Sequence, residues 1–235
     1  MKSSILKNFI VFEGLDGCGK SSQVRLLKEH LEKKGKKVEV SCEPTDGPIG
    51  KMVRDVLQHK VITTPKALAL LYASDREDHL FHEDVGIKDK TANGYIEISD
   101  RYFYSSYAYQ SVNVDSNYVK EINNFPSPEI LIYIDVPVDV CLSRIDKRGG
   151  EKELFEKKEF LEKVDLNFKS AIKNVNPETK VLVVNGEQDI SKIAKEIAFF
   201  VDKIIGWENS ALTNKHCVPI AKEMIFFFYC MVICI

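Results

Sequence analysis

The stretch Gly14-Leu15-Asp16-Gly17-Cys18-Gly19-Lys20-Ser21 fits the pattern GxxxxGK[ST]. Its glycines let the backbone curl with N–H groups pointing inward, since no Cβ stands between the loop and a bound anion. A helix starting near Lys20 adds the positive end of its dipole, with Ser22 in its first turn. Lys20 supplies a mobile charge for β- and γ-phosphates, and the Ser21 hydroxyl is the expected Mg2+ ligand. The chemistry implied is nucleoside triphosphate binding. Cys18, beside a helix N-terminus, is either an alkylatable thiol or a small residue of which only the backbone N–H matters. The second reading is the simpler.

Such a loop works only between a buried strand and an amphipathic helix, and both flank it. Phe9 to Phe12 is a short continuous apolar run, the mark of a strand buried on both faces. From Ser21 to Lys34 the pattern is helical, with Val24, Leu27 and Leu31 on one stripe and Gly35 as the stop. Further strands are expected at Val38 to Cys42, Tyr95 to Ile98, Ile130 to Ile134 and Val181 to Val184. Helices are expected over 48–59, 65–84, 102–112, from Pro137 to about Lys147, over 153–175 and over 189–205. The 153–175 helix carries Leu154, Leu161, Val164 and Phe168 on one side. This alternation predicts an α/β fold with a five-stranded parallel sheet and helices on both faces. Ligands then gather beyond the carboxyl ends of the strands, after Phe12, Cys42, Ile98 and Ile134.

The 235 residues carry 33 basic and 35 acidic side chains, a formal charge of -2. No global basic field exists to draw the chain onto nucleic acid or an anionic membrane, so a polyanion must be held locally. With 44% hydrophobic and 29% charged residues, one large globular domain is expected, over residues 1–206. The six cysteines, Cys18, Cys42, Cys141, Cys217, Cys230 and Cys234, form no CxxC pair, which reads as reduced thiols. The N-terminus lacks the long apolar region of a secretory signal, so a cytoplasmic location is expected. Residues 207–216 are polar, and Met224 to Ile235 is an unbroken apolar dozen. That is well short of the ~20 residues that span a bilayer. The 207–235 tail reads as a terminal appendage; a membrane-associating tail is the competing reading.

A GTPase switch would carry DxxG after the third strand and NKxD after a later one. Here the third strand leads to Ser99-Asp100-Arg101-Tyr102 and the fourth to Asp135-Val136-Pro137. Asp100, at a strand end, suits either a Walker-B-like acid orienting water on Mg2+ or an N-cap for the next helix. Arg101 offers a planar, permanently charged fork that can bridge two phosphates. Tyr72 and Arg76 lie four apart on one helix face, a plane and a donor that suit a nucleobase, or else a core position. Ser106 and Gln110 share a face of the next helix, with Tyr109 beside them. Arg144 and Arg148 are four apart before Gly149 and Gly150, where a cationic lid over about 144–155 can close on the triphosphate or a basic helix end can complement its dipole.

Glu13 to Ser21, Glu43-Pro44-Thr45, Tyr72-Ala73-Ser74-Asp75-Arg76, Asp100-Arg101-Tyr102 and Ser105-Ser106-Tyr107-Ala108-Tyr109-Gln110 together resemble the thymidylate kinases, over about residues 6–205. The resemblance implies a P-loop NTPase-type three-layer fold and a homodimer. It also implies Mg2+-dependent transfer of the γ-phosphoryl of ATP to dTMP. Alternatives are a kinase of another deoxynucleotide or deoxynucleoside, and a non-catalytic nucleotide-binding protein. By resemblance Arg101 lies between donor and acceptor phosphates, Tyr72 stacks on thymine, and Arg76 donates to a base carbonyl. Gln110 reads the thymine edge, Tyr109 excludes a ribose 2′-hydroxyl, and Asp16 accepts from the deoxyribose 3′-hydroxyl. Glu43 and Pro44 lie near the acceptor phosphate. Some members of the family carry an arginine at the position of Gly17; with glycine there, the catalytic charge is expected from the lid, at Arg148.

Overall fold

In the computed structural model, residues 4–148, 154–155 and 157–205 are described, apart from the Arg148 side chain. Residues 149–153 of the expected lid, residue 156 and the 207–235 tail lie outside them.

Five strands form one all-parallel sheet in the order β2-β3-β1-β4-β5. They are β1 (Ile5–Glu13), β2 (Val38–Cys42), β3 (Ile96–Asp100), β4 (Ser127–Asp135) and β5 (Lys180–Asn185). Phe9 to Phe12 of β1 are fully buried, and β4 is buried at every position but its last. Strands apolar on both sides need helices on both faces, which is why periodicity here gives continuous runs rather than alternation. Helix α1 (Lys20–Lys33) packs on α9 (Ile190–Ile205), and α5 (Phe103–Tyr109) packs on α8 (Lys158–Lys173). The remaining helices are α2 (Pro48–Leu57), α3 (Pro65–Phe81), α4 (Ile87–Ala92), α6 (Ser116–Glu121) and α7 (Val138–Arg148).

Three expectations need correction. The 65–84 helix ends at Phe81, where His82 leaves helical geometry, and a separate α4 begins after Gly86. A Cβ on Gly86 would lie 2.7 Å from the carbonyls of Leu80 and His82, so the turn between the helices is tight. The 153–175 helix starts only at Lys158. The Leu154 amide instead donates to the Leu57 carbonyl, tying that segment across to α2, and Phe155 stacks on Phe160 of α8 at 4.9 Å. Helix α6 went unpredicted although Asp115 caps it, accepting from the amides of Asn117 and Tyr118.

The register sets the site. Phe12 of β1 pairs with Asp100 of β3, and Cys42 of β2 pairs with Asp100 as well. The carboxyl ends of these strands are therefore level, and the loops leaving them share one edge.

Candidate active site

The loop after β1 is glycine-rich for steric reasons visible here. Gly14 has φ 145, and a Cβ on it would fall 2.7 Å from the Ile134 carbonyl of β4. Gly17 has φ 82, and a Cβ there would fall 2.6 Å from the Cys141 carbonyl of α7. An arginine at position 17 would therefore collide with backbone. Inside the loop the Lys20 ammonium donates to the carbonyls of Gly14 and Leu15, at 3.0 Å each. Leu15 and Cys18 are buried in the core cluster, so Cys18 fits the reading of a small structural residue rather than a presented thiol.

Ser21 Oγ donates to Asp100 Oδ2 at 2.9 Å, joining the start of α1 to the end of β3. Asp100 does not cap α5. That duty falls to Glu13 at the end of β1, whose Oε1 accepts from the Tyr102 amide at 2.9 Å and the Ser105 amide at 3.0 Å. Glu13 is fully buried. Burial pushes its carboxyl up to about 7, while Arg101 and hydrogen bonds from Ser105 and Tyr102 pull the other way.

Arg101 has φ 79, a left-handed backbone costing about 1–2 kcal/mol for a residue with a Cβ. Its guanidinium donates to Gly14 O at 3.1 Å, Ser105 Oγ at 2.9 Å and Asp16 Oδ1 at 2.6 Å. Asp16 also accepts from the Tyr109 hydroxyl at 3.0 Å. Burial alone would raise the Asp16 carboxyl, but the charges of Arg101 and Lys20 outweigh it and hold the group well below the usual carboxylate range.

Helix α3 pins the loop after β2. Asp75 accepts from the amide of Thr45 at 2.8 Å and from its hydroxyl at 2.6 Å. Arg76 donates twice to Glu43 Oε2, at 2.8 and 2.6 Å, and once each to Ser106 Oγ and Asn123 Oδ1. Both partners of the Arg76–Glu43 pair are at most 2% exposed, and His79 Nδ1 lies 3.1 Å from the other Glu43 oxygen. A guanidinium has five N–H donors. Four are committed among the described residues, leaving one on Nη2.

These side chains meet in one cavity of about 530 Å³. On its loop side lie Asp16, Gly17, Gly19, Lys20, Ser21, Ser22, Asp100 and Arg101. Glu43, Pro44, Tyr72, Arg76, Tyr109 and Gln110 line the other side. Ser106 sits behind Arg76 as its partner, and Gly14, Leu15 and Cys18 form the floor of the loop. Arg144 is outside the cavity, donating to the carbonyls of Gly17 and Cys18 at 3.4 Å and Gly186 at 3.1 Å. The expected Arg148 falls outside the described side chains.

The cavity also holds residues that sequence reasoning did not single out. Arg54 of α2 donates to Pro44 O at 2.8 Å and reaches Asp46 at 3.1 Å, placing a cation on the Glu43 and Pro44 side of the cavity. Its only signal was one basic residue on an amphipathic helix. Ser105, Leu57 and Phe155 are further lining residues.

Comparison with known proteins bears on this arrangement. The family model for thymidylate kinase matches residues 12–197. A protein of Treponema pallidum named a putative thymidylate kinase is 40% identical over 198 residues, covering 83% of this chain and 94% of the relative. Probable thymidylate kinases of Methanococcus aeolicus and Thermococcus kodakarensis are 37% and 36% identical, covering 82% and 85% of this chain and 94% and 100% of theirs. A phosphate loop on β1, an Asp-Arg pair ending β3 and the α3 Tyr-Arg face thus occur in a chain that matches nearly the full length of these relatives, and it belongs to the thymidylate kinase family.

Proposed function

We propose that this chain transfers the γ-phosphoryl group of ATP to dTMP, giving dTDP for dTTP synthesis. The observation that carries the reading is a single cavity running from the phosphate loop past Arg101 to Tyr72 and Arg76. One end suits a triphosphate and the other a planar base, with a guanidinium between them. The uncommitted Nη2 hydrogen of Arg76 suits a base carbonyl, and Tyr72 supplies the plane. Arg54 gives the acceptor side a cation that a phosphate-bearing acceptor uses and a nucleoside does not. Tyr109 and Asp16, already bonded to one another, take the sugar, and Gln110 takes the base edge.

Ser21 and Asp100 fit Mg2+. They offer one hydroxyl and one carboxylate, and no cluster of three or more His, Cys, Asp or Glu able to hold a metal occurs among the described residues. So sparse a donor set suits an ion that keeps waters and shares nucleotide phosphates. Bound there, Mg2+ would neutralise charge on the phosphoryl oxygens. The protein's own contribution is positioning and charge: Lys20 and the loop amides hold the donor, and Arg101 stabilises the group in transit. We assign the closing lid charge to Arg148, since Arg144 already bonds three carbonyls.

A homodimer and a cytoplasmic location complete the proposal. No helix among the described residues is long and apolar enough to cross a membrane.

Phosphorylation of dTMP, dUMP, dCMP, dGMP, ribosyl TMP and thymidine by ATP and Mg2+ tests the reading. A clear preference for dTMP supports it. Turnover of thymidine instead would make the chain a nucleoside kinase, and ATP binding without turnover of any acceptor would leave a binding protein.

A further inference from the structure

We propose that Glu13 is a positioning residue that acts on the reaction through Arg101, with Ser105 as the link. This deepens the reading of Arg101 given above and rests on it. The family resemblance assigns Glu13 no role.

Three contacts fix the Arg101 backbone in its left-handed conformation. Its amide donates to the Phe12 carbonyl at 2.9 Å, and its carbonyl accepts from Ser99 Oγ at 2.7 Å. The following amide, of Tyr102, donates to Glu13 Oε1 at 2.9 Å. Two of these anchors, Phe12 and Glu13, are consecutive residues at the end of β1, immediately before the phosphate loop. The arginine and the loop therefore share one rigid origin.

The side chain is held from the same place. Ser105 Oγ donates to Glu13 Oε2 at 2.6 Å and accepts from Arg101 Nη1 at 2.9 Å. Above about pH 7, where Glu13 is ionised, its carboxylate can only accept, so it commits the single hydroxyl hydrogen of Ser105 to itself. The lone pairs of Ser105 are then left facing the guanidinium. Glu13 thereby sets the polarity of the relay Arg101 to Ser105 to Glu13, and a neutral amide in its place would donate to Ser105, so that the hydroxyl accepts from both sides and its own hydrogen has no partner in the relay.

The alternative is that Glu13 is a buried cap for α5 with no bearing on turnover. A double-mutant cycle separates the two. With the full chain, ATP, Mg2+ and dTMP at about pH 8, where Glu13 is ionised, kcat and both KM values are measured for E13Q, S105A, R101A, E13Q/R101A and S105A/R101A, at enzyme concentrations high enough to read residual turnover. Thermal unfolding runs alongside. The expected result is a kcat loss on the order of tenfold to a hundredfold for E13Q, the scale of a small misplacement of a catalytic group, with KM values little changed. Adding E13Q to R101A should cost no further kcat. S105A deletes the link but leaves both amide contacts to Glu13, so it reads the coupling even if E13Q folds poorly. Equal losses from E13Q and S105A in the presence and absence of Arg101 would overturn the proposal. So would full kcat in both single variants. If R101A itself keeps wild-type turnover, the assignment of Arg101 fails first, and the proposal with it.

Discussion

The Arg76–Glu43 pair permits a prediction whose size follows from its burial. Both side chains are at most 2% exposed, and the guanidinium lies 5.5 Å from the Tyr102 ring and 5.8 Å from Phe125, so little water is available to replace a lost partner. Replacing Glu43 by Ala strands a cation among rings, Ser106 and Asn123. Breaking a buried pair from one side costs about 3–5 kcal/mol, whereas exchanging both members for apolar residues of similar volume is often nearly neutral. For a domain of roughly 200 residues the unfolding entropy is about 0.4 kcal/mol/K, so Glu43→Ala should lower Tm by about 7–12 °C. Glu43→Leu combined with Arg76→Met should unfold closer to wild type than either single variant, while binding dTMP poorly because the base-facing donor is gone. Thermal unfolding and dTMP titration check this. If the double variant loses the sum of the two single losses, or if Glu43→Ala costs less than about 1 kcal/mol, the pair does not have the energetic role argued for it.

Three further outcomes are expected. Glu13 has its carboxyl raised from 4.5 to about 7 in the folded chain, so its contribution to stability is complete below pH 4.5 and is lost as pH rises toward 7. Wild-type stability relative to Glu13→Gln should thus fall by about 3 kcal/mol over that window, and denaturant titrations giving a pH-independent difference would refute it. Arg54→Ala should raise the KM for dTMP about tenfold or more, with the KM for ATP nearly unchanged, because its cation lies on the acceptor side; steady-state kinetics with each substrate varied decide the matter. A maleimide should modify Cys42, which is exposed in the cavity wall, while Cys18 and Cys141 stay protected in the folded chain. Peptide mapping that found Cys18 labelled first would contradict its burial.

The sheet and the phosphate-loop end of the cavity were legible because each residue there answers to one local constraint. A glycine loop between an apolar run and an amphipathic stripe has few other uses, and Lys20, Ser21 and Asp100 meet where expected. Helix boundaries were harder, since the 82–86 turn is set by the close approach of Gly86 to the Leu80 and His82 carbonyls, and the segment at 154–155 by the distant Leu57 carbonyl. Asp100 was open between a metal ligand and an N-cap, and only the Glu13 contacts remove the second option. Glu13 was visible as part of a motif, but its partners stand 89 and 92 residues away, beyond the reach of any periodicity. Arg54 was missed for a related reason: a basic residue on an amphipathic helix is usually a solvated one, and its contacts with the Pro44 carbonyl and Asp46 lie in a loop that no periodicity links to it.

The strand order has a bearing on how the chain comes to be made. β1 leaves the ribosome first, yet its two neighbours are β3, ending at Asp100, and β4, ending at Asp135. During synthesis one of its edges waits for β3 and the other for β4, and an apolar strand with unsatisfied edges is the kind of segment that aggregates or recruits chaperones. The phosphate loop is complete as a motif within the first two dozen residues, but Gly14 is backed by Ile134 and Gly17 by Cys141. A nascent chain or fragment that stops before those positions carries the motif without the cradle. Nucleotide binding should therefore mark the late stages of folding in this protein and can serve as a reporter of a completed sheet.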